Sequence, residues 1–478
     1  MTDYEKIGFK CGLEIHNRLN TKTKLFCNCN PRFSAERPKT IIKRKLRAVA
    51  GEMGQVDIAA IYEYLRDRDF IYHCYQEETC LKETDEEPPN PVSREALEVA
   101  LQIAKLLKAE VPDEIHIMRK IVIDGSNVCS FQRTAVVGLN GSLDTSIGKV
   151  RITNICLEEE SAGIVNQKGN EITYRLDRLG IPLIEIGTAP DIKNPEHAKE
   201  VAEKLGMIIR STGKSQRGIG VTREDVNVSI AKGARVEIKG VQELDMIPTI
   251  IENEIKRQQS LIEKGEKLKE ETRVANEDGT TEFTRPLPGG ERMYPETDLE
   301  TVPIKNMISK IKVPETWEEK AKRFSKFLPK EMIDQVLRSE YLDLFDKFSK
   351  KYDPTLVANT FTSVIKDLRR RGLEIDLTEE NFDVLFFSIG KLISKEAIPN
   401  VLEIACKEKI SISDAIGKSG LKALSEEQLR AIIRKIFAKY PQLVKEKKVS
   451  ALMGEVMKET RGKIDGKTVS KILNEELK

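Results

Sequence analysis

Side chains of an extended strand project alternately to opposite faces of its sheet, and five stretches in the first half of this 478-residue chain alternate in a revealing way. They are KIGFKCGLEIH, KVRITNICL, IPLIEIG, EDVNVSI and ARVEIKG. In the first, Ile7, Phe9, Cys11, Leu13 and Ile15 share one face, and Glu14 and His16 share the other. In the others Leu183 and Glu185 oppose Ile184 and Ile186, while Val226, Val228 and Ile230 oppose Asp225, Asn227 and Ser229. Val236 and Ile238 oppose Arg235, Glu237 and Lys239. A sheet built from these strands buries one face on a core and turns the other to water or to a ligand. Asp, Asn and Glu are poor strand residues, so two readings fit their recurrence: a solvated sheet, or an oxygen-rich site for Mg²⁺. The acidic run Glu158, Glu159 and Glu160 would add ligands at a strand end, and Arg235 and Lys239, beside Glu237, are placed to contact phosphates.

Two helices interrupt these strands. One is capped by Ser93 and carries Leu97, Leu101 and Ala104 on one face; the other has Asn194 as cap, Pro195 in its first turn and Gly213 after its end. Polar, glycine-bearing sequence from Lys264 to Gly290 reads as a loop against the sheet, followed by PLPGGERMYPETD, whose prolines and glycines forbid long elements. Beyond residue 300 the glycines and strand patterns give way to helices. A capping box of Thr316 and Glu319, with Trp317 in the first turn, opens one run, and a second box of Ser425 and Gln428 opens the last region. The expected class is α+β. A mixed catalytic domain over 1–300 precedes an all-helical domain over 301–412 and a small helical tail over 413–478.

Charge is informative only by location. The formal net charge is +2, yet from Ile416 to Lys478 there are 15 Lys and Arg against 8 Asp and Glu, so a basic tail follows an acidic body. Such a tail suits a polyanionic partner or merely a solvated helix face. No run approaches the roughly 18 apolar residues of a membrane helix, and MTDYEKIG lacks a secretory pattern, so a soluble cytoplasmic protein is expected. The eight cysteines are too scattered for a disulfide scaffold. Cys27 and Cys29 of CNCNP, with Cys74 and Cys80, suit a four-thiolate Zn²⁺ site, although the spacing is not that of a standard knuckle and Cys74 also reads as an ordinary buried residue. No P-loop, GxSxG, HExxH or dinucleotide fingerprint is present, which weighs against hydrolase, zinc protease and dehydrogenase classes.

The segment KCGLEIHNRLNTKTKLFCNC resembles the opening of the B/E family of aminoacyl-tRNA amidotransferase subunits. The resemblance continues through TCLKETDEEPP, KIVIDGSNVCSFQRT, ICLEEESAGIV, YRLDRLGIPLIEIGTAPDI, REDVNVSI, ARVEIKGVQELD and RPLPGGERMYPETD. The tail LMGEVMKETRGKIDGKTVSKIL resembles the helical domain that closes these subunits, and the whole is more similar to the archaeal E branch than to the B branch. The resemblance implies a cradle-like catalytic domain, a helical domain and a tail that holds tRNA. It implies ATP- and Mg²⁺-dependent phosphorylation of the γ-carboxylate of Glu-tRNA(Gln), then amidation to Gln-tRNA(Gln). Ammonia would come from an asparaginase-like D subunit, in a complex of two D and two E subunits. The implied metal-binding and catalytic positions are Glu14, His16, Glu159, Glu185, Asp225 and Glu237; Lys458, Arg461, Lys463 and Lys467 are plausible contacts to tRNA phosphates. One departure is the absence of an inserted domain usual in the E branch, which would fall near Lys264 to Thr284. Two alternatives are a B-type subunit of a three-subunit Asp/Glu-tRNA amidotransferase, working with glutaminase-like A and small C subunits on Asp-tRNA(Asn) as well, and a non-catalytic tRNA-binding module that never consumes ATP.

Overall fold

The computed structural model describes residues 3–477 apart from 219, 242, 290–292, 376, 421–423, 461–462 and 465. Its strands, in chain order, are β1 (Lys10–Arg18), β2 (Thr40–Arg44), β3 (Asp69–Cys74), β4 (Glu114–Ile115), β5 (Ile117–Ile121), β6 (Phe131–Thr145), β7 (Gly148–Glu159) and β8 (Gly163–Lys168). They continue with β9 (Glu171–Arg175), β10 (Pro182–Thr188), β11 (Thr222–Ser229), β12 (Val236–Val241), β13 (Glu271–Ala275), β14 (Thr281–Pro286), β15 (Met293–Pro295) and β16 (Val302–Pro303). Ten of them form one sheet in the order β14-β13-β12-β11-β1-β10-β7-β6-β5-β15, and β2-β3-β9-β8 form a second. All five expected strands are present. The first begins only at Lys10, because Phe9 N–H turns back to the Tyr4 carbonyl and Gly8 takes a positive φ.

The large sheet is one-sided, as the alternation requires. Helices α2 (Arg94–Leu106), α3 (Pro195–Ser211) and α4 (Ile247–Glu263), which follow the short α1 (Ile58–Leu65), pack on its apolar face. There Leu13, Ile15, Ile155, Leu157, Ile184, Ile186, Val226 and Ile238 join Leu97, Leu101, Val201 and Ile251 in one buried cluster. The caps are as expected: Ser93 accepts from Ala96 N–H, and Asn194 accepts from His197 N–H ahead of Pro195. The small sheet holds Phe70, Tyr72, Tyr174 and Leu176 against the loop after β5. Gly125 in that loop is obligatory, since its φ is +92° and a Cβ would meet the Phe70 ring at 2.2 Å.

The expected loop between Lys264 and Gly290 is instead a hairpin. β13 pairs in parallel with β12 and turns through Asp278 and Gly279 into β14. The Asp-Gly turn signal is present in the sequence, but the polar composition around it, which is normal for strands at a solvated sheet edge, hides the strands on either side.

The chain divides into two compact units, the first closing at Trp317 and the second beginning at Glu318. The first therefore runs past the composition shift near 300, because the following segment packs back onto it. Ile304 is fully buried, Lys105 Nζ donates to the Ile311 carbonyl at 2.9 Å, and Trp317 N–H donates to Ser211 Oγ at 3.0 Å. Every named element of the second unit is helical, giving the α+β class expected. One aromatic cluster joins Tyr341, Phe361, Phe382 and Phe386. A separate core of Leu429, Ile433, Leu452, Val456, Val469 and Ile472 lies near the end of the chain, where the Ser425–Gln428 capping box forms in full. Among the described residues, no helix is long and apolar enough to cross a membrane.

Leu101 is fully buried between α2 and the sheet. Leu101→Ala is expected to cost about 2–5 kcal/mol, measured as a fall in the urea midpoint at unchanged m-value.

Candidate active site on the polar sheet face

β1 sits between β10 and β11, strands far away in sequence, and this pairing aligns the polar faces of all three. His16 lies opposite Glu185 and Arg223, Glu14 lies opposite Asp225, and Asn227 lies opposite Glu237; Glu185 in turn faces Cys156 of β7. The result is a continuous acidic row across the sheet. Potential ligand atoms converge in three overlapping groups: Glu14, His16 and Glu185; Glu14, Asp225 and Glu237; and Cys156, Glu158 and Glu185. The row opens on a cavity of about 400 Å³ lined by Lys10, Glu14, Asn154, Glu185, Asn227 and Arg235.

Its electrostatics are those of crowded carboxylates held by few cations. His16 Nε2 stands 3.3 Å from Glu185. Burial opposes the imidazolium, but the hydrogen bond to Glu185 and the charges of Asp225 and Glu185 override it and raise the His16 pKa to about 9. Lys120 Nζ bridges Glu158 at 2.5 Å and Glu185 at 3.4 Å; Lys239 Nζ bridges Asp225 at 2.6 Å and Glu237 at 2.8 Å. Burial works against ionisation of Asp225 and Glu237, but Lys239 holds both below the usual carboxylate range. Glu14 accepts a hydrogen bond from Asn227 at 3.2 Å, and burial, then the charge of Glu185, push its pKa up against the opposing charges of Lys239 and His16. A hard, divalent cation relieves that crowding, and carboxylate oxygens are the donors Mg²⁺ prefers.

Five of the six implied metal positions are thus brought together, and Glu159 is not. It pairs with Pro182 on the opposite face, where Arg133 donates to it from the backbone at 3.1 Å and from the guanidinium at 3.4 Å. Glu158 takes the place on the row, accepting from Thr134 at 3.0 Å and Gln132 at 3.1 Å. Alternation from Cys156 is the sequence signal that selects it. Arg235 is exposed at the cavity, whereas the charge of Lys239 is already engaged by two carboxylates.

The four-thiolate set is also revised by the geometry. Cys27, Cys29 and Cys80 converge with Glu83, while Cys74 ends β3 in the small-sheet core. Cys27 Sγ lies 2.9 Å from Glu83 Oε1, and the Cys80 N–H donates to Glu83 Oε2 at 2.8 Å. Fully buried Lys24 donates to Glu83 at 3.0 Å and to the carbonyls of Glu78 and Leu176. Hydrogen bonds with Cys27 and Cys29 pull the Cys80 thiol below its ordinary value, and those with Cys29 and Cys80 push the Cys27 thiol up. The Cys-x-x-Glu spacing of 80 and 83 is legible in the sequence, but cysteine positions alone do not reveal it.

In the tail, Lys458 is exposed and paired with Glu455, Lys463 is half-buried, and Lys467 is exposed in the first turn of the last helix; Arg461 lies outside the described residues.

Comparison with known proteins agrees with this geometry. Residues 9–310 match the GatB/GatE catalytic domain family and residues 343–477 match the GatB domain family. The chain is 38% identical to the E subunit of glutamyl-tRNA(Gln) amidotransferase from Methanocaldococcus jannaschii, covering 100% of this chain and 99% of that protein. It is 37% identical to the E subunit from Archaeoglobus fulgidus, at the same coverage. The first alignment runs over 628 positions against 478 residues here, so part of that relative has no counterpart in this chain. Matched over its full length by these relatives and carrying both family domains, the chain belongs to the E-subunit family of glutamyl-tRNA(Gln) amidotransferases.

Proposed function

We propose that this chain is the tRNA-binding subunit of an ATP-dependent amidotransferase that converts Glu-tRNA(Gln) to Gln-tRNA(Gln) in the cytoplasm. The observation that carries this reading is the unbroken row of Glu14, His16, Glu185, Asp225 and Glu237 beside a cavity. A solvated sheet face has no need to bury carboxylates side by side, where burial first and the neighbouring Glu185 second raise the Glu14 pKa. The matched relatives are named as E subunits, which favours that branch over a B-type assembly.

In the reaction, a γ-carboxylate oxygen of the esterified glutamate attacks the γ-phosphorus of ATP and ADP leaves. Ammonia then attacks the acyl carbon, phosphate leaves, and a proton is lost from nitrogen. Both attacking partners in the first step are anions, so the site must lower their repulsion. Glu14, Glu185, Asp225 and Glu237, with His16, would hold Mg²⁺, which when bound supplies positive charge between phosphate and carboxylate. Lys120 fixes Glu158 and Glu185, and Asn227 orients Glu14, so the donors are held before substrate arrives. Arg235 stands where a phosphate entering the cavity would meet it. Ammonia would be supplied by an asparaginase-like D subunit, in an assembly with two copies of each component. The tail 413–478 would grip the tRNA body through Lys458, Arg461, Lys463 and Lys467.

A second, structural metal fits the thiol cluster. Three thiol donors and the Glu83 carboxylate surround one point, and buried Lys24 offsets part of the negative charge a loaded site would carry. These donors suit Zn²⁺, with Glu83 in the place expected for Cys74.

Three outcomes test this reading. With ATP, Mg²⁺, ammonium and Glu-tRNA(Gln), the Glu185→Gln variant should form Gln-tRNA at least about 100-fold more slowly while binding tRNA normally; unchanged turnover would remove the row from catalysis. Replacing Lys458, Lys463 and Lys467 together by alanine should flatten the plot of log tRNA affinity against log salt by about one for each phosphate no longer neutralised, with Glu185-dependent ATP use intact at saturating tRNA. Elemental analysis of the purified chain should find one zinc per chain, absent from Cys27→Ser along with a lowered melting temperature and retained in Cys74→Ser.

A further inference from the structure

Glu160 follows β7 and is 1% exposed, yet three guanidiniums crowd around it. Arg223 grips it with two bonds of 3.0 Å, Nη1 to Oε2 and Nη2 to Oε1. Arg178 Nη2 stands 3.7 Å from Oε1 and Arg18 Nη1 stands 3.9 Å from Oε2. One carboxylate answers three cations. The other acids nearby are engaged: Asp177 makes paired bonds to Arg175, and Asp225 is held by Lys239. Arg18 is itself only 5% exposed, and its Nε has no hydrogen-bond partner among the described residues.

The cluster continues the acidic row. Arg223 pairs across β1 with His16, and Arg18 follows His16 on the same face one strand repeat along, roughly 7 Å away. Beyond β1, Gln216 N–H donates to the Arg18 carbonyl, and the Arg18 N–H donates to the Val221 carbonyl, so residues 214–218, 220 and 221 run beside the cluster. Gly218 and Gly220 in that stretch have positive φ. Phe33 lies between the Arg18 and Arg175 guanidiniums, 5.2 Å from each.

We propose that Arg18, Arg178 and Arg223 form an anion pocket that receives a phosphate of the nucleotide beside the carboxylate row. The pocket rests on the reading of the polar face as an ATP site, and it assigns phosphate recognition to arginines that no sequence pattern singles out. A guanidinium offers phosphate a planar fork of donors, which a lysine cannot. Glu160 holds Arg223 in place, and the surplus charge on Arg18 and Arg178 is left for the ligand. A backbone phosphate of tRNA offers the same chemistry, so the test separates the two.

The full chain is titrated calorimetrically with inorganic phosphate and with ATP, and tRNA binding is measured separately, for wild type, Arg18→Gln and Arg178→Gln. Circular dichroism and melting establish folding; Arg178, about a quarter exposed, is the variant that decides should Arg18→Gln unfold. The expected result is a Kd for phosphate and ATP raised on the order of 10- to 100-fold with tRNA affinity unchanged. Phosphate and ATP binding unaltered in a folded variant overturns the pocket, and loss of tRNA binding with ATP binding intact overturns its assignment to the nucleotide. Should wild type use no ATP with Glu-tRNA while phosphate binding still needs these arginines, the amidation reading fails and the anion pocket is supported.

Discussion

Strand β1 has no hydrogen-bonded neighbour close to it in sequence, and the molecule's organisation follows from that. Its partners β10 and β11 begin more than 150 residues later, so the central pairs of the large sheet close only when the first unit is assembled. Because side chains alternate, a single register decides two things together. It sends Leu13 and Ile15 into the core under α3, and it lines up Glu14 and His16 with Asp225 and Glu185. A slip of one residue would bury the carboxylates and expose the isoleucine and leucine side chains. The apolar core therefore acts as the force that holds like charges together, since core burial fixes the register that their repulsion opposes.

The same logic accounts for the cations of the site. Lys120 and Lys239 each bridge two carboxylates, which offsets part of the crowding without neutralising it, and Glu14 accepts a hydrogen bond from the Asn227 amide. At the arginine end the imbalance has the opposite sign, three cations facing Glu160. An acidic stretch and a basic stretch on one continuous face suit a reaction between a metal-bound phosphate and a carboxylate. Each stretch would be stabilised by a ligand of the opposite charge.

Much of this is legible in the sequence where local chemistry decides the outcome. The five strands, the caps Ser93, Asn194 and Ser425, and the polar-face positions Glu14, His16, Glu185, Asp225 and Glu237 follow from alternation and capping rules that need no knowledge of neighbours. What the sequence conceals depends on pairing. Glu159 and Glu158 are adjacent in an acidic run; alternation separates their faces, and the pairing of Cys156 with Glu185 puts Glu158 on the side of the row. Glu83 joins the thiols through a fold that brings the Cys27 turn to the Cys80 turn. The hairpin of β13 and β14 is hidden because a solvated edge carries little apolar patterning, and the first unit extends to Trp317 because Ile304 and Trp317 are buried against helices and strands distant in sequence. The arginine cluster is concealed for the same reason: its members come from β1, β11 and the turn before β10.

The central claim is that this face activates a carboxylate by phosphorylating it. The direct measurement is isotopic: Glu-tRNA(Gln) carrying ¹⁸O in the glutamate γ-carboxyl is converted by the chain with ATP, Mg²⁺ and ammonium, and the released phosphate is analysed by mass. Phosphate carrying one ¹⁸O for each glutamine formed is the predicted result, because the oxygen crosses from carboxyl to phosphorus. Unlabelled phosphate accompanying glutamine formation would contradict the account.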